Sequence, residues 1–232
     1  MHFPLHNPFR TLSRRDWALW LTSLTVVAVT NLMSGQVHPA TVLGTLVGVT
    51  ALIFMARGDV WGQILTIVFA ILYGVTSWQF RYWGEMITYL GMSLPMAAMA
   101  AAAWLRNPYQ EGEPEVAIHR LSRSEWLWGC VLAVFTTVLF GWVLHLLDTP
   151  NLFWSTLSVT TSFFAAYLAW RRASWYAVAY AANDVVLIIL WILAALEDIS
   201  FAPMIACFAM FLINDLYAFI CWKKREKRQG LA

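Results

Sequence analysis

The chain has 232 residues, of which 60% are apolar and only 12% charged, with a mean hydropathy of +0.62 and a formal net charge of +2. Ordinary soluble domains carry roughly twice that share of charge, so the composition excludes a disordered chain, a small disulfide-stapled scaffold and most water-soluble enzymes. It reads as a polytopic membrane protein.

A membrane helix needs about 20 mostly apolar residues to cross a hydrocarbon core of roughly 30 Å. Eight stretches approach that standard, at 17–33, 39–55, 60–78, 83–105, 125–147, 152–170, 174–195 and 201–222. Their apolar runs are continuous rather than alternating, which selects helices over barrel strands. The first span follows Arg10, Arg14 and Arg15. It is longer than a signal-peptide core, and Met33-Ser34-Gly35-Gln36 is not an A-x-A-like cleavage site, so a retained helix is expected.

Charge placement supports the span count. With the N-terminus in the cytoplasm, the inner segments hold Arg10, Arg14, Arg15, Arg57, Arg106, Arg120, Arg123, Arg171, Arg172, Lys223, Lys224, Arg225, Lys227 and Arg228, and only Arg81 falls outside. Such a partition follows the positive-inside rule, and both termini are expected in the cytoplasm. Cys130, Cys207 and Cys221 lie in apolar segments without CxxC spacing and read as small buried hydrophobes.

The longest connection, 106–124, holds Pro108, Glu111, Gly112, Glu113, Pro114 and Glu115 and reads as a solvated cytoplasmic loop. A shift of 118 residues, the separation of Trp104 and Trp222, carries the second to fourth spans roughly onto the sixth to eighth. The shift covers an even number of spans, so the two triplets share one orientation. A parallel repeat of this kind is one plan for transporters, with substrate at the repeat interface. The expected architecture is a single all-α transmembrane domain. It contains an additional N-terminal helix (17–33), a first three-helix repeat (39–105), a linker helix (125–147), a second repeat (152–222) and a basic cytoplasmic tail (223–232).

Ionisable groups at membrane depth are expensive and mark cavities or bundle interiors. Asp59, Asp148, Glu197 and Asp198 fall in loops, and Glu85 and Glu125 at span ends. Asp184 and Asp215 do not: each lies well inside a span, behind Asn183 and Asn214 respectively. Interhelical hydrogen-bond clamps are the plainer explanation. The functional one is a polar pocket for a ligand with amide or hydroxyl groups, or with positive charge. Most tryptophans sit at span ends, where interfacial belts account for them. Tyr73, Tyr89, Tyr180 and Trp191 lie deeper. Tyr180 precedes Asp184 by four residues and shares its helix face, pairing an aromatic plate with a carboxylate, which suits a flat or cationic ring.

No HExxH, GxSxG, Gly-rich phosphate loop or Walker A motif is present, so no catalytic residue, metal ligand or cofactor is expected. A membrane enzyme with unfamiliar residues is the alternative from another class. The expected partners are a small-molecule substrate and the lipid bilayer, with no nucleic acid. Aromatic-rich span faces suit lipid or a second copy in a homo-oligomer equally.

Three stretches resemble the PnuC-type vitamin-precursor transporters. Tyr73-Gly-Val-Thr-Ser-Trp-Gln79-Phe-Arg-Tyr-Trp-Gly84-Glu85 is similar to that family's "Y…Q…YGE" segment. Ile213-Asn214-Asp215-Leu216-Tyr217-Ala218-Phe219-Ile220-Cys221-Trp222 resembles its "LNDxYGxxxW" ending. Ala177-Val178-Ala179-Tyr180-Ala181-Ala182-Asn183-Asp184 is similar in spacing to its "W..W…[ND]" helix, with Tyr180 in place of the second tryptophan and Ala177 in place of the first. The resemblance implies a SWEET-like parallel 3+1+3 core with one added N-terminal helix in the bacterial inner membrane. It implies uptake of nicotinamide riboside by facilitated diffusion, trapped by cytosolic phosphorylation, and no enzymatic activity. Relatives specialised for thiamine or riboflavin, and proton-coupled uptake through Asp184 or Asp215, are the alternatives. Carried over by position, Gln79, Tyr180, Asp184 and Asn214 line the substrate path, with Tyr73 nearby and Asn183 and Asp215 beside them.

Overall fold

The structure is a computed structural model that describes residues 6–33, 39–79 and 83–231. Arg81, the single basic residue expected outside, lies beyond the described residues. Among the described residues, eight helices are long and apolar enough to cross a membrane: α1 (Arg14–Met33), α2 (Pro39–Arg57), α3 (Val60–Gln79), α4 (Trp83–Arg106), α5 (Arg123–Leu146), α6 (Leu152–Trp170), α7 (Tyr176–Glu197) and α8 (Ala202–Arg228). These match the expected spans within a few residues, except that α8 continues six residues past Trp222.

The helices begin and end for local reasons. At the start of α5, the Ser122 hydroxyl accepts from the Glu125 N–H while the Glu125 carboxylate accepts from the Ser122 N–H, a reciprocal cap for two otherwise orphaned donors. α2 ends in a turn where Gly58 takes φ +69°, with its N–H bonded to the Met55 carbonyl and the Asp59 N–H to Phe54. α6 ends the same way at Arg172, φ +58°, with N–H bonds from Arg172 to Ala169 and from Ala173 to Leu168. α4 is regular over Trp83–Thr88, π-helical over Tyr89–Ser93 and regular again over Leu94–Arg106. Pro95 explains the bulge: its ring would meet the carbonyl four residues back, and widening the preceding turn relieves that clash.

α2 packs on α3, α3 on α4, α6 on α7 and α7 on α8, while α2 against α8 and α4 against α6 join the two halves. The core between them holds Phe54, Tyr176, Phe208 and Trp222, all fully buried. α5 packs mainly on α6 and turns Trp128, Phe135 and Trp142 outward, as a lipid-facing linker would. Cys130 shares that exposed surface, which corrects its expected burial; Cys207 is buried. α1 lies against α2 and α8 and is tied there by polar side chains. The Trp20 indole donates to Thr50 (3.0 Å), Asn214 to Ser23 (2.9 Å) and the Tyr217 hydroxyl to Asp16 (2.7 Å).

The long loop is not simply solvated. Gln110 to Glu113 form an exposed tip, but Val116 and Ile118 are buried. The Val116 N–H donates to the Gly58 carbonyl (3.0 Å) and the His119 N–H to the Arg172 carbonyl (3.1 Å), so the loop bridges the two positive-φ turns. Glu115 is gripped by Arg225 (3.2 Å) and Arg228, and Gln229 donates to it at 3.0 Å. The basic segment expected at 223–232 continues α8 as far as Arg228 and docks on this loop. Pairing of opposite charges on two segments distant in sequence is what composition alone could not register.

Candidate functional site

A cavity of about 70 Å³ lies between the two halves, with walls from α2, α3, α4, α6, α7 and α8. Its aromatic wall comes from Phe69, Tyr89, Tyr180, Phe208 and Phe211, and its polar wall includes Ser162, Asn183, Asp184 and Asp215. Gly48 on α2 makes room for it: a Cβ there would stand 2.6 Å from the Phe211 ring and 3.1 Å from that of Phe69. Volume at this point exists because the residue has no side chain.

The electrostatics are concentrated in two acids. Asp184 is 2% exposed, as is Asp215, and both line this cavity. Asp184 Oδ2 and Asp215 Oδ1 find no hydrogen-bond partner among the described residues. Two carboxyl groups buried on one cavity mark it as a place where positive charge is welcome. The Asn183 side-chain carbonyl accepts from Thr161 (2.7 Å) and Ser162 (2.9 Å), which orients its amide beside Asp184. Buried carboxylates with unused lone pairs, an oriented amide and five aromatic rings make a site for a planar ring carrying positive charge and hydrogen-bonding substituents.

The structure brings together Tyr180, Asn183, Asp184 and Asp215 of the expected site residues. Tyr73 stands behind the wall, with its ring 4.1 Å from that of Tyr89 between centroids, so it supports rather than lines the cavity. Asn214 points away: besides Ser23, its amide donates to the Met210 carbonyl at 2.7 Å. It serves as a clamp between α8 and α1, since helix geometry turns neighbouring side chains about 100° apart. Gln79 is exposed at the end of α3 and does not reach the cavity. Glu85, read as a span-end acid, is 5% exposed and borders a separate small recess with Thr149, Asn151 and Trp191. Phe69, Phe211, Gly48 and Ser162 were not singled out by sequence. The spacing of Phe69 four residues before Tyr73, on one helix face, was the available signal.

On the basic side the cavity is backed by two tryptophans. Trp104 of α4 donates its indole N–H to the Ala169 carbonyl of α6 (2.9 Å), and Trp222 of α8 donates to the Met55 carbonyl of α2 (2.8 Å). Met55 itself borders the cavity. The two indole rings pack with centroids 5.4 Å apart. Each bond therefore crosses from one half of the molecule to the last turn of a helix in the other.

A model of the nicotinamide mononucleotide transporter family matches residues 38–224, which covers α2 to α8 almost completely. The chain belongs to this PnuC-type family. Its relatives include a nicotinamide riboside transporter PnuC from Neisseria mucosa, 26% identical over 92% of this chain and 82% of that protein. Another, of the same description from Haemophilus influenzae, is 23% identical over 78% of this chain and 77% of its own length. A crystal structure described as the vitamin B3 transporter PnuC superposes with a TM-score of 0.79 at 22% identity, covering 94% of both chains. The family is one of transporters rather than an enzyme class, and the all-helical multi-pass fold agrees with it. Within the PnuC family frame, the cavity lies where the two halves meet, the position at which repeat-built transporters hold substrate.

Proposed function

We propose that this chain carries nicotinamide riboside, or a vitamin precursor with a similar cationic ring, across the bacterial inner membrane by facilitated diffusion. The observation that carries the proposal is that Asp184, Asp215 and Tyr180 line one cavity together with the rings of Phe69, Tyr89, Phe208 and Phe211. The positive ring stacks on Tyr180 and is drawn to the carboxyl pair, while Asn183 and Ser162 bond its polar substituents. The names borne by the Neisseria and Haemophilus relatives support the same substrate. Phosphorylation in the cytosol makes entry one-way, and both termini face the cytoplasm, consistent with the basic residues gathered at one end.

The proposed machinery is a parallel pair of triplets, α2–α4 and α6–α8, with α5 as linker and α1 added. Two features support it: the turns at Gly58 and Arg172 share the same pair of N–H to carbonyl bonds, and the Trp104 and Trp222 bonds cross between triplets reciprocally. Rocking of one triplet on the other alternates access, and the tryptophan bonds hold the basic side closed.

Thermal unfolding of the purified protein with nicotinamide riboside, thiamine and riboflavin tests the substrate. Nicotinamide riboside at about 100 times its Kd raises the unfolding temperature by roughly 5–10 °C. No shift with any of the three, at large excess, overturns the vitamin reading. The placement of two buried carboxyl groups on one cavity favours a second reading, uptake coupled to a proton. Liposome uptake that ignores an imposed pH gradient removes it.

A further inference from the structure

At the basic end, α1, α2 and α8 enclose a second cavity, of about 570 Å³, which plays no part in the substrate site. Its cations are Arg14 and Arg15 from the first turn of α1, Arg57 from the end of α2, and Lys224, Arg225 and Arg228 from the end of α8. Glu115 is the one carboxylate on its walls, and Arg225 and Arg228 already occupy it. Arg57 lies 3.6 Å from Asp16, whose other oxygen accepts from Tyr217. Six positive groups thus converge on a space whose nearby acids are committed, and Arg14, Arg15 and Lys224 are exposed to it with no acidic partner among the described residues. Like charges gathered this closely repel one another unless an anion joins them.

The cavity's place in the fold identifies the anion. It sits where α1 begins, where α2 ends and where the apolar part of α8 gives way to basic residues, the level of lipid headgroups in an inserted chain. Along the outer surfaces of the same helices, Leu21 of α1 and Ile213, Leu216 and Ile220 of α8 are all about half exposed and apolar. Acyl chains lying on those residues leave a phosphate at the height of the cavity. Basic pockets between membrane helices take up phospholipid headgroups by this combination of charge and depth.

We propose that the cavity between α1, α2 and α8 binds the headgroup phosphate of an anionic phospholipid, of the phosphatidylglycerol or cardiolipin class. The phosphate joins Arg14 and Arg15 to Lys224 and so fastens the added N-terminal helix to the second triplet. α1 otherwise packs on α2 and α8 through Val27 and its neighbours and a few polar bonds, and the lipid adds to that hold as a structural ligand.

The test uses the full chain in neutral detergent, stripped of lipid. Added phosphatidylglycerol, at about 100 times its Kd, raises the unfolding temperature by roughly 5–10 °C, and phosphatidylcholine at equal concentration does not. Native mass spectrometry retains phosphatidylglycerol on the wild type, and the triple variant R14Q/R15Q/K224Q loses at least tenfold in retention. K224Q alone loses part of it, and serves if the triple variant is poorly folded. Equal stabilisation by both lipids, or full retention by both variants, overturns the site. A shift of the same size from millimolar inorganic phosphate without lipid overturns the assignment to a headgroup and makes the ligand a soluble phosphate.

Discussion

The cavity owes its volume to Gly48, which makes Gly48→Ala the sharpest perturbation of the site. The new Cβ stands 2.6 Å from Phe211 and 3.1 Å from Phe69, so at least one ring must move into the cavity. A methyl group takes roughly 25 Å³ in a close-packed interior, against a cavity of about 70 Å³. Overpacking of this kind costs about 1–3 kcal/mol, while replacing glycine within a helix returns about 1 kcal/mol. Net stability therefore falls by no more than about 2 kcal/mol, a loss of up to roughly 8 °C in unfolding temperature. Binding carries the whole clash, because substrate and displaced ring compete for one space, and weakens about 5- to 150-fold. Gly44→Ala is the control one turn away: its Cβ meets Leu72 at an ordinary 3.5 Å, so it gains about 1 kcal/mol of helix propensity with no loss of binding. Isothermal titration of the purified variants with nicotinamide riboside reads both. Wild-type affinity in Gly48→Ala, or equal losses in the two variants, refutes the placement of the substrate in this cavity.

The remaining predictions concern charge and the closed side. Asp184→Asn and Asp215→Asn each weaken binding of nicotinamide riboside about 10- to 100-fold, the worth of a hydrogen bond to a charged group; titration at pH 7 that shows unchanged affinity for both counts against the cationic-ring site. Trp104→Phe and Trp222→Phe each lose an indole bond of ~1 kcal/mol and leave a void worth another ~1 kcal/mol, lowering the unfolding temperature by roughly 4–8 °C. Because the rings touch at 5.4 Å between centroids, the double variant falls short of the sum of the two, and strict additivity in thermal unfolding would show that they act separately. Glu115→Gln leaves Arg225, whose side chain is 8% exposed, without its carboxylate, at a cost of about 1–3 kcal/mol. The loop then loosens from α8, and limited trypsin digestion cuts at Arg120 or Arg123 several times faster than in the wild type; an unchanged rate removes the role assigned to the Glu115 contacts.

Span number, the helical class and the pair of acids at membrane depth are all legible in the sequence, for one reason: lipid imposes length and apolarity on every crossing segment, and any charge that violates them stands out. Asp184 and Asp215 stand out by that contrast and Tyr180 by its place four residues before Asp184, and the structure places all three on one cavity. Asn214 shows where linear reasoning stops. It adjoins Asp215 in sequence, yet it clamps Ser23 on α1, because its helical direction is set by what packs there rather than by its neighbour's role. Gln79 matched a family motif and ended up exposed at the close of α3. Glu85 sat at a span end by count and became buried through contact with segments some sixty to a hundred residues away.

What the sequence determined by itself was the solvent each segment must meet: eight apolar crossings, basic residues gathered at one end and two acids out of place. Only the tertiary structure decided which polar groups converge, since facing is a property of packed helices and not of spacing along one. It made a cavity where Gly48 leaves a gap between Phe69 and Phe211, turned the presumed tail into a helix end clasped by Glu115, and drew the ends of three helices around six cations. Each of these outcomes depends on contacts between residues far apart in the chain, whose partners the local pattern does not specify.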